Sequence, residues 1–202
     1  MSLKSEVKTI DRQAITGVIL CGGRGRRMGG VDKPLELLNG RPLVRHVRER
    51  LVQQVGRIII SANRSLDAYS SFGDLIVTDI EAGLGPLEGI LSALSLIESS
   101  WFFCCPGDAP RLDRGLVSRL AASAAGVGAV IPHDGETAQP LFLLGRSTLR
   151  PAIEAYLASD ERAVTTFVAG LNVAVVDCAD IAESFANVNT QAELAEMAGR
   201  EA

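Results

Sequence analysis

Apolar residues along the chain fall into two alternating rhythms. Gly17–Cys21 reads GVILC, a short apolar run bounded by glycines, and predicts a buried strand. From Pro42 to Val55, Leu43, Val47, Leu51 and Val55 recur every four residues with Arg45, Arg48 and Glu49 between them. That spacing predicts an amphipathic helix. Arg57–Ala62 and Asp74–Asp79 return to strand, and Pro86–Glu98 carries Leu87, Ile90, Leu91, Leu94 and Ile97 at helical spacing. Trp101–Cys105 is again strand-like and stops at Pro106-Gly107. Further on, a helix is predicted over Leu112–Ala125 and a strand over Gly128–Pro132. A loop His133–Pro140 precedes a strand at Leu141–Leu144, and a helix starts near Thr148 with Pro151 in its first turn. Val173–Asp177 reads as a strand, and Thr190-Gln-Ala-Glu193 as a capping box before a terminal helix Ala192–Ala198.

Strands alternating with helices predict an α/β layered domain with a mostly parallel sheet. Ligands in such folds sit beyond the carboxyl ends of the strands, where strand order switches. Functional residues are therefore expected just after Cys21, Ala62, Asp79 and Cys105.

The length of 202 residues fits one domain over 1–202, with 1–14 a loosely ordered extension. Composition narrows the function classes. A net charge of −4 argues against a nucleic-acid or membrane-surface binder, and 4% aromatic residues against a base-stacking platform. The opening MSLKSEVKTIDRQ lacks the apolar core of a secretory signal, and no apolar run is long enough to span a membrane. A cytoplasmic location is the expectation. Cys21, Cys104, Cys105 and Cys178 form no C-x-x-C pair, so buried reduced thiols are favoured over a metal cluster.

The glycines are unevenly spread. Six of the 20 lie between Gly22 and Gly40, most of them in the stretch CGGRGRRMGGVDKP after the first strand. Met28 breaks the G-x-G-x-x-G dinucleotide fingerprint, and Val31 after Gly29-Gly30 breaks the P-loop. The chemistry still suits phosphate. Gly22, Gly23 and Gly25 permit a backbone anion nest, and Arg24, Arg26, Arg27 and Lys33 add cations to an acidic protein. A surface loop with solvated charges has the same composition.

Two aspartates end predicted strands. Asp108, in PGDAP, is placed to hold Mg²⁺, which takes one or two carboxylates and completes its shell with water and phosphate; as a bare motif it is also an ordinary turn. Asp79 could accept from guanine N1–H and N2–H₂ together, which adenine does not satisfy. A turn or capping role is the plainer alternative.

LCGGRGRRMGGVDKPL resembles the signature L-A-G-G-x-(S/A)-x-R-M-G-x-D-K of nucleotidyltransferases that activate sugars and cofactors. With LNGRPLVRHV, SANR, GLGPLEGILSAL, PGDAP, HDGE, QP and FANVNTQAEL following in order, the chain resembles the molybdenum cofactor guanylyltransferase (MobA) family over nearly its whole length. Cys21 stands where the family usually has alanine, and Ser61 where relatives have asparagine. The resemblance implies a three-layer αβα, Rossmann-like nucleotidyltransferase fold with a mostly parallel central sheet. It also implies transfer of GMP from GTP to the phosphate of a molybdopterin-type molybdenum cofactor, with Mg²⁺ as cofactor and pyrophosphate as leaving group. It implies catalytic roles for Arg27, Lys33 and Asp108, with Asp108 the metal ligand. Leu20, Cys21, Gly22, Gly23, Gly30, Lys33, Ser61, Asp79 and Asp108 would bind the nucleotide. His133, Gln139, Asn187 and Asn189 would face the acceptor. Partners on this reading are GTP and the pterin cofactor, with room for transient contact with cofactor-biosynthesis proteins and recipient molybdoenzymes. Three alternatives stay open: a cytidylyltransferase of the same fold acting on the same pterin or a sugar phosphate, a non-catalytic nucleotide-binding module, and a metal-handling site at Cys21 with the Cys104-Cys105 pair.

Overall fold

The computed structural model describes residues 10–22, 31–79 and 85–199. Its centre is a seven-stranded sheet in the order β5-β4-β1-β6-β8-β7-β9. These strands are β1 (Ile15–Leu20), β4 (Arg57–Ser61), β5 (Leu75–Val77), β6 (Trp101–Pro106), β7 (Ala129–His133), β8 (Leu143–Arg146) and β9 (Val173–Asp177). A separate antiparallel pair joins β2 (Leu37–Leu38) to β3 (Arg41–Pro42). Only β8 runs against its neighbours, β6 and β7. The mostly parallel, layered arrangement expected from the alternation is therefore present.

Side-chain alternation along each strand builds two apolar layers. Ile19, Ile58, Ile60, Phe103 and Cys105 face one side, under α1 (Leu43–Leu51) and α4 (Leu116–Ala121). Val18, Ile59, Phe102 and Cys104 face the other, under α3 (Pro86–Leu94), α5 (Arg150–Ala158) and α6 (Val164–Ala169). All four cysteines are buried and free. Neighbours on one strand, Cys104 and Cys105 point to opposite faces and cannot share an ion. That overturns the reading of the pair as part of one metal site. Burial pushes the Cys104 thiol up to about 12, so it stays protonated.

Several predicted helices are shorter than their apolar periodicity, for local reasons. The first ends at Leu51 rather than Val55, and the buried Gln54 takes over the chain end. Its Nε2 donates to the carbonyls of Arg50 and Asp113, and its Oε1 accepts from Val117 N–H. The helix from Pro86 ends at Leu94 rather than Glu98, where Ser95 Oγ donates back to the Ser92 carbonyl at 2.6 Å. The helix expected over Leu112–Ala125 is confined to α4. Asp113 instead caps the preceding turn, accepting from Gly115 N–H at 2.7 Å.

Periodicity misses a hairpin and two short helices. The β2–β3 hairpin turns at Asn39-Gly40, both at positive φ (50° and 76°), a strong hairpin signal hidden by its two-residue strands. The four-residue helix α2 (Leu66–Tyr69) and the six-residue α6 are too short to show a period. The terminal helix α7 (Gln191–Gly199) is capped as expected: Glu193 N–H donates to Thr190 Oγ1, and Glu193 Oε2 accepts from Thr190 N–H. Of the expected N-terminal extension, residues 1–9 lie outside the described part. Residues Arg12–Ala14 form a 3-10 turn capped by Asp11. Among the described residues no helix is long and apolar enough to cross a membrane.

Candidate active site

Strand order reverses between β1 and β6, and the chain ends of both strands open into one cleft. The Gly107 N–H donates to the Leu20 carbonyl at 2.9 Å, so the β1–β6 ladder runs to its lip. The cleft has a volume of about 220 Å³. Leu20, Cys21, Gly22, Lys33, Asp108 and Asn187, six of the expected site residues, line it together with Asp32 and Arg64.

Its chemical centre is an ammonium bridge. Lys33 starts a 3-10 turn, Lys33–Leu35, set by Pro34. Lys33 Nζ lies 2.8 Å from Asp108 Oδ2 and donates to Asn189 Oδ1 at 2.9 Å. The ion pair is largely enclosed, with side-chain exposures of 19% and 16%. The FANVNT segment is fastened to the same place by its backbone, since Val188 N–H donates to the Asp108 carbonyl at 2.9 Å. Asn187 Oδ1 is buried without a hydrogen-bond partner among the described residues. An orphaned amide oxygen and a carboxylate beside one cleft suit a hard, oxygen-preferring cation. Among the described residues no group of three or more His, Cys, Asp or Glu could hold a metal by itself, so a cation here would depend on a substrate's oxygens to fill its shell.

Asp79 lies past the end of β5 and is gripped by Asn63 in both directions. Asn63 Nδ2 donates to Asp79 Oδ2 at 2.6 Å, and Asp79 N–H donates to Asn63 Oδ1 at 2.8 Å. Partial burial raises the Asp79 carboxyl above its ordinary value, with the Asn63 bond working against that rise. Ser61 is buried at the end of β4. A Cβ on Gly89 of α3 would come within 2.5 Å of Ser61 Oγ, so only glycine lets that helix lie so close.

His133, expected in the loop, is instead the last residue of β7, paired with Asp177 of β9, while Gln139 lies in the loop that leads to β8. Asp134 organises that loop by accepting from the Glu136 and Thr137 N–H groups and from Gln139 Nε2 at 2.6 Å. Those bonds, the Thr137 and Glu136 amides foremost, hold the Asp134 carboxyl below its ordinary value. His133 Nδ1 accepts from Gly135 N–H at 3.1 Å, which leaves the proton of a neutral ring on Nε2. Leu141, two residues past Gln139, reaches the cleft wall.

Gly23, Gly30 and Arg27, with Arg24 and Arg26, lie outside the described residues. Sequence reasoning gave no role to Asp32, Asn63, Arg64 or Tyr69. The first three lie inside quoted motifs, V-D-K and S-A-N-R, and for Asn63 and Arg64 position directly after β4 was the available signal.

Residues 17–174 match the MobA-like NTP transferase domain family. The chain belongs to this family. Within the MobA-like group it is 42% identical over 193 residues to a molybdenum cofactor guanylyltransferase of Cupriavidus necator, covering 92% of this chain and 96% of that one. A protein of the same name from Shewanella putrefaciens is 39% identical over 187 residues, covering 91% and 96%. The MobA-like architecture is also seen in the crystal structure of molybdopterin-guanine dinucleotide biosynthesis protein A from Archaeoglobus fulgidus, with a TM-score of 0.76. At 22% identity over 92% of this chain and 97% of that one, this match speaks to fold alone.

Proposed function

We propose that this chain is a molybdenum cofactor guanylyltransferase, transferring GMP from GTP to the phosphate of molybdopterin-type cofactor. The observation that carries the proposal is the Lys33 bridge between Asp108 and Asn189 at the β1–β6 switch point. It gathers the glycine-rich, central and C-terminal motifs around one small cleft. The reaction forms a bond from an acceptor phosphate oxygen to the α-phosphorus of GTP and breaks the bond from that phosphorus to the β-phosphate oxygen. Pyrophosphate leaves with the electron pair. The nucleophile is already an anion, so neither a deprotonating base nor a covalent protein intermediate is needed. Alignment and charge neutralisation are the protein's share.

Lys33 supplies a positive charge at the triphosphate, and Arg27, by its place in the glycine-rich loop, supplies another. Leu20, Cys21 and Gly22 carry backbone polar groups to the mouth of β1, joined in the loop by Gly23 and Gly30. Asp79, with its carboxylate aimed by Asn63, accepts from the guanine edge. Ser61 supports the base side from beneath α3. Asp108 would hold Mg²⁺, helped by the free Asn187 oxygen. The bound ion would offset charge on the phosphate oxygens. His133, Gln139, Asn187 and Asn189 form the acceptor side.

The test is incubation of the protein with GTP, Mg²⁺ and molybdopterin cofactor, scored for pyrophosphate and a guanylylated pterin. Both products should appear with GTP and neither with CTP. Turnover with CTP alone would transfer the assignment to cytidylyl transfer, and GTP binding with no transfer would leave a nucleotide-binding module.

A further inference from the structure

An acidic side chain on the wall of a cleft meant for a triphosphate needs an explanation. Asp32 lines the cleft beside Lys33, and its side chain is only 10% exposed. The explanation lies behind it. Tyr69, fully buried at the end of α2, donates its hydroxyl to Asp32 Oδ1 at 2.8 Å. Arg64 Nε stands 3.5 Å from Oδ2, near enough for charge pairing but without a hydrogen bond, and Oδ2 has no hydrogen-bond partner among the described residues. Arg64 also donates from Nη2 to the Val31 carbonyl at 2.8 Å. The Cys21 thiol, at the end of β1, meets the same Tyr69 hydroxyl. Val31 and Asp32 are thus held by side chains of the segment after β4 on the one side, and Asp32 is the residue from which the Lys33–Leu35 turn begins. Leu35 N–H closes that turn on the Asp32 carbonyl at 2.9 Å.

We propose that Tyr69 and Arg64 act through Asp32 as positioning residues for Lys33, locking the backbone from which its ammonium reaches Asp108 and Asn189. This deepens the functional reading and rests on the role given there to Lys33. The Tyr69–Asp32 bond is the critical link, because it is the only hydrogen bond that either carboxylate oxygen of Asp32 has among the described contacts. Without it a buried carboxylate has no hydrogen-bond donor to hold it, and it turns toward water. Lys33, one residue on, moves with it. Displacing a positioned charge weakens the transition state more than it weakens ground-state binding.

The test is a double-mutant cycle of Tyr69→Phe and Lys33→Met, read as kcat and as KM for GTP in the guanylyl-transfer assay, with thermal melts of each variant. Phenylalanine keeps the buried ring and removes only the hydroxyl. Tyr69→Phe alone is expected to lower kcat about tenfold and to change KM for GTP less than about twofold. In the Lys33→Met background the same change is expected to lower kcat by less than about twofold, because the group it positions is gone. An equal loss in both backgrounds, or no loss in either, overturns the positioning role. If Lys33→Met itself turns over normally, the reading of Lys33 falls and this one with it. Should Tyr69→Phe fail to fold, Asp32→Ala takes its place in the same two backgrounds under the same criterion.

Discussion

The two sides of the cleft are organised by different means. On the β4-β1-β6 side the strands are parallel, and polar side chains are held by partners distant in sequence: Lys33 by Asp108 and Asn189, Asp32 by Tyr69, and Asp79 by Asn63. On the β7–β8 side the strands are antiparallel, and the turn that runs from His133 at the end of β7 to Gln139 satisfies itself within a few residues through Asp134. Long-range bonds exist only in the folded chain, so they fix charges relative to the whole sheet. Local bonds shape a loop without tying it to the opposite wall. The first arrangement suits a triphosphate, whose reacting phosphorus must be placed closely. The second suits a bulky acceptor that has to enter and leave.

The largest test of this contrast is Asp108→Asn. It keeps a hydrogen-bond acceptor for Lys33 but loses the charge, and kcat is expected to fall by about 10²–10³-fold. GTP affinity, measured by titration calorimetry, should stay within about tenfold. Unchanged kcat would remove Asp108 from the chemistry.

Gln139→Ala should raise KM for the pterin acceptor by about tenfold, the size of one hydrogen bond, with KM for GTP unchanged. An equal rise in both would mean that the two walls act as one unit, and the contrast would fail.

The smallest effect concerns stability. Asp79 has its carboxyl raised in the fold, so the folded chain holds its proton more tightly than the unfolded chain and ionisation at neutral pH costs stability. That cost disappears as pH falls through the raised value. Asp79→Asn should therefore increase Tm at pH 7 by about 1 °C, the modest size expected for a solvent-screened group. The gain should shrink in acid, and a decrease in Tm at pH 7 would contradict the burial argument.

How much of this was legible in the sequence follows the same division. The layered fold was readable because alternating strand and helix patterns are long enough to show a period, as in the run from Leu43 to Leu51. The glycine-rich stretch and Asp108 were readable because residue type and position after a strand coincide. Tyr69 and Arg64 were not. Tyr69 sits in a helix of four residues, and its importance comes from a hydroxyl contact to Asp32, 37 positions away, that no local pattern encodes. Asn63 was hidden differently: in S-A-N-R the side chain of Ser61 packs beneath α3, while Asn63, two residues on, reaches Asp79.

The span of the Lys33–Asn189 bond bears on how the protein is made. The two partners are separated by 156 positions. During synthesis Lys33 emerges before Asn189, and it gains this anchor only after the FANVNT stretch has been translated. A nascent chain long enough to form β1 through β6 therefore presents Lys33 without the Asn189 clasp and without the Val188 tether to Asp108. Closure of the cleft by the FANVNT stretch therefore comes after the strands that flank it have been made.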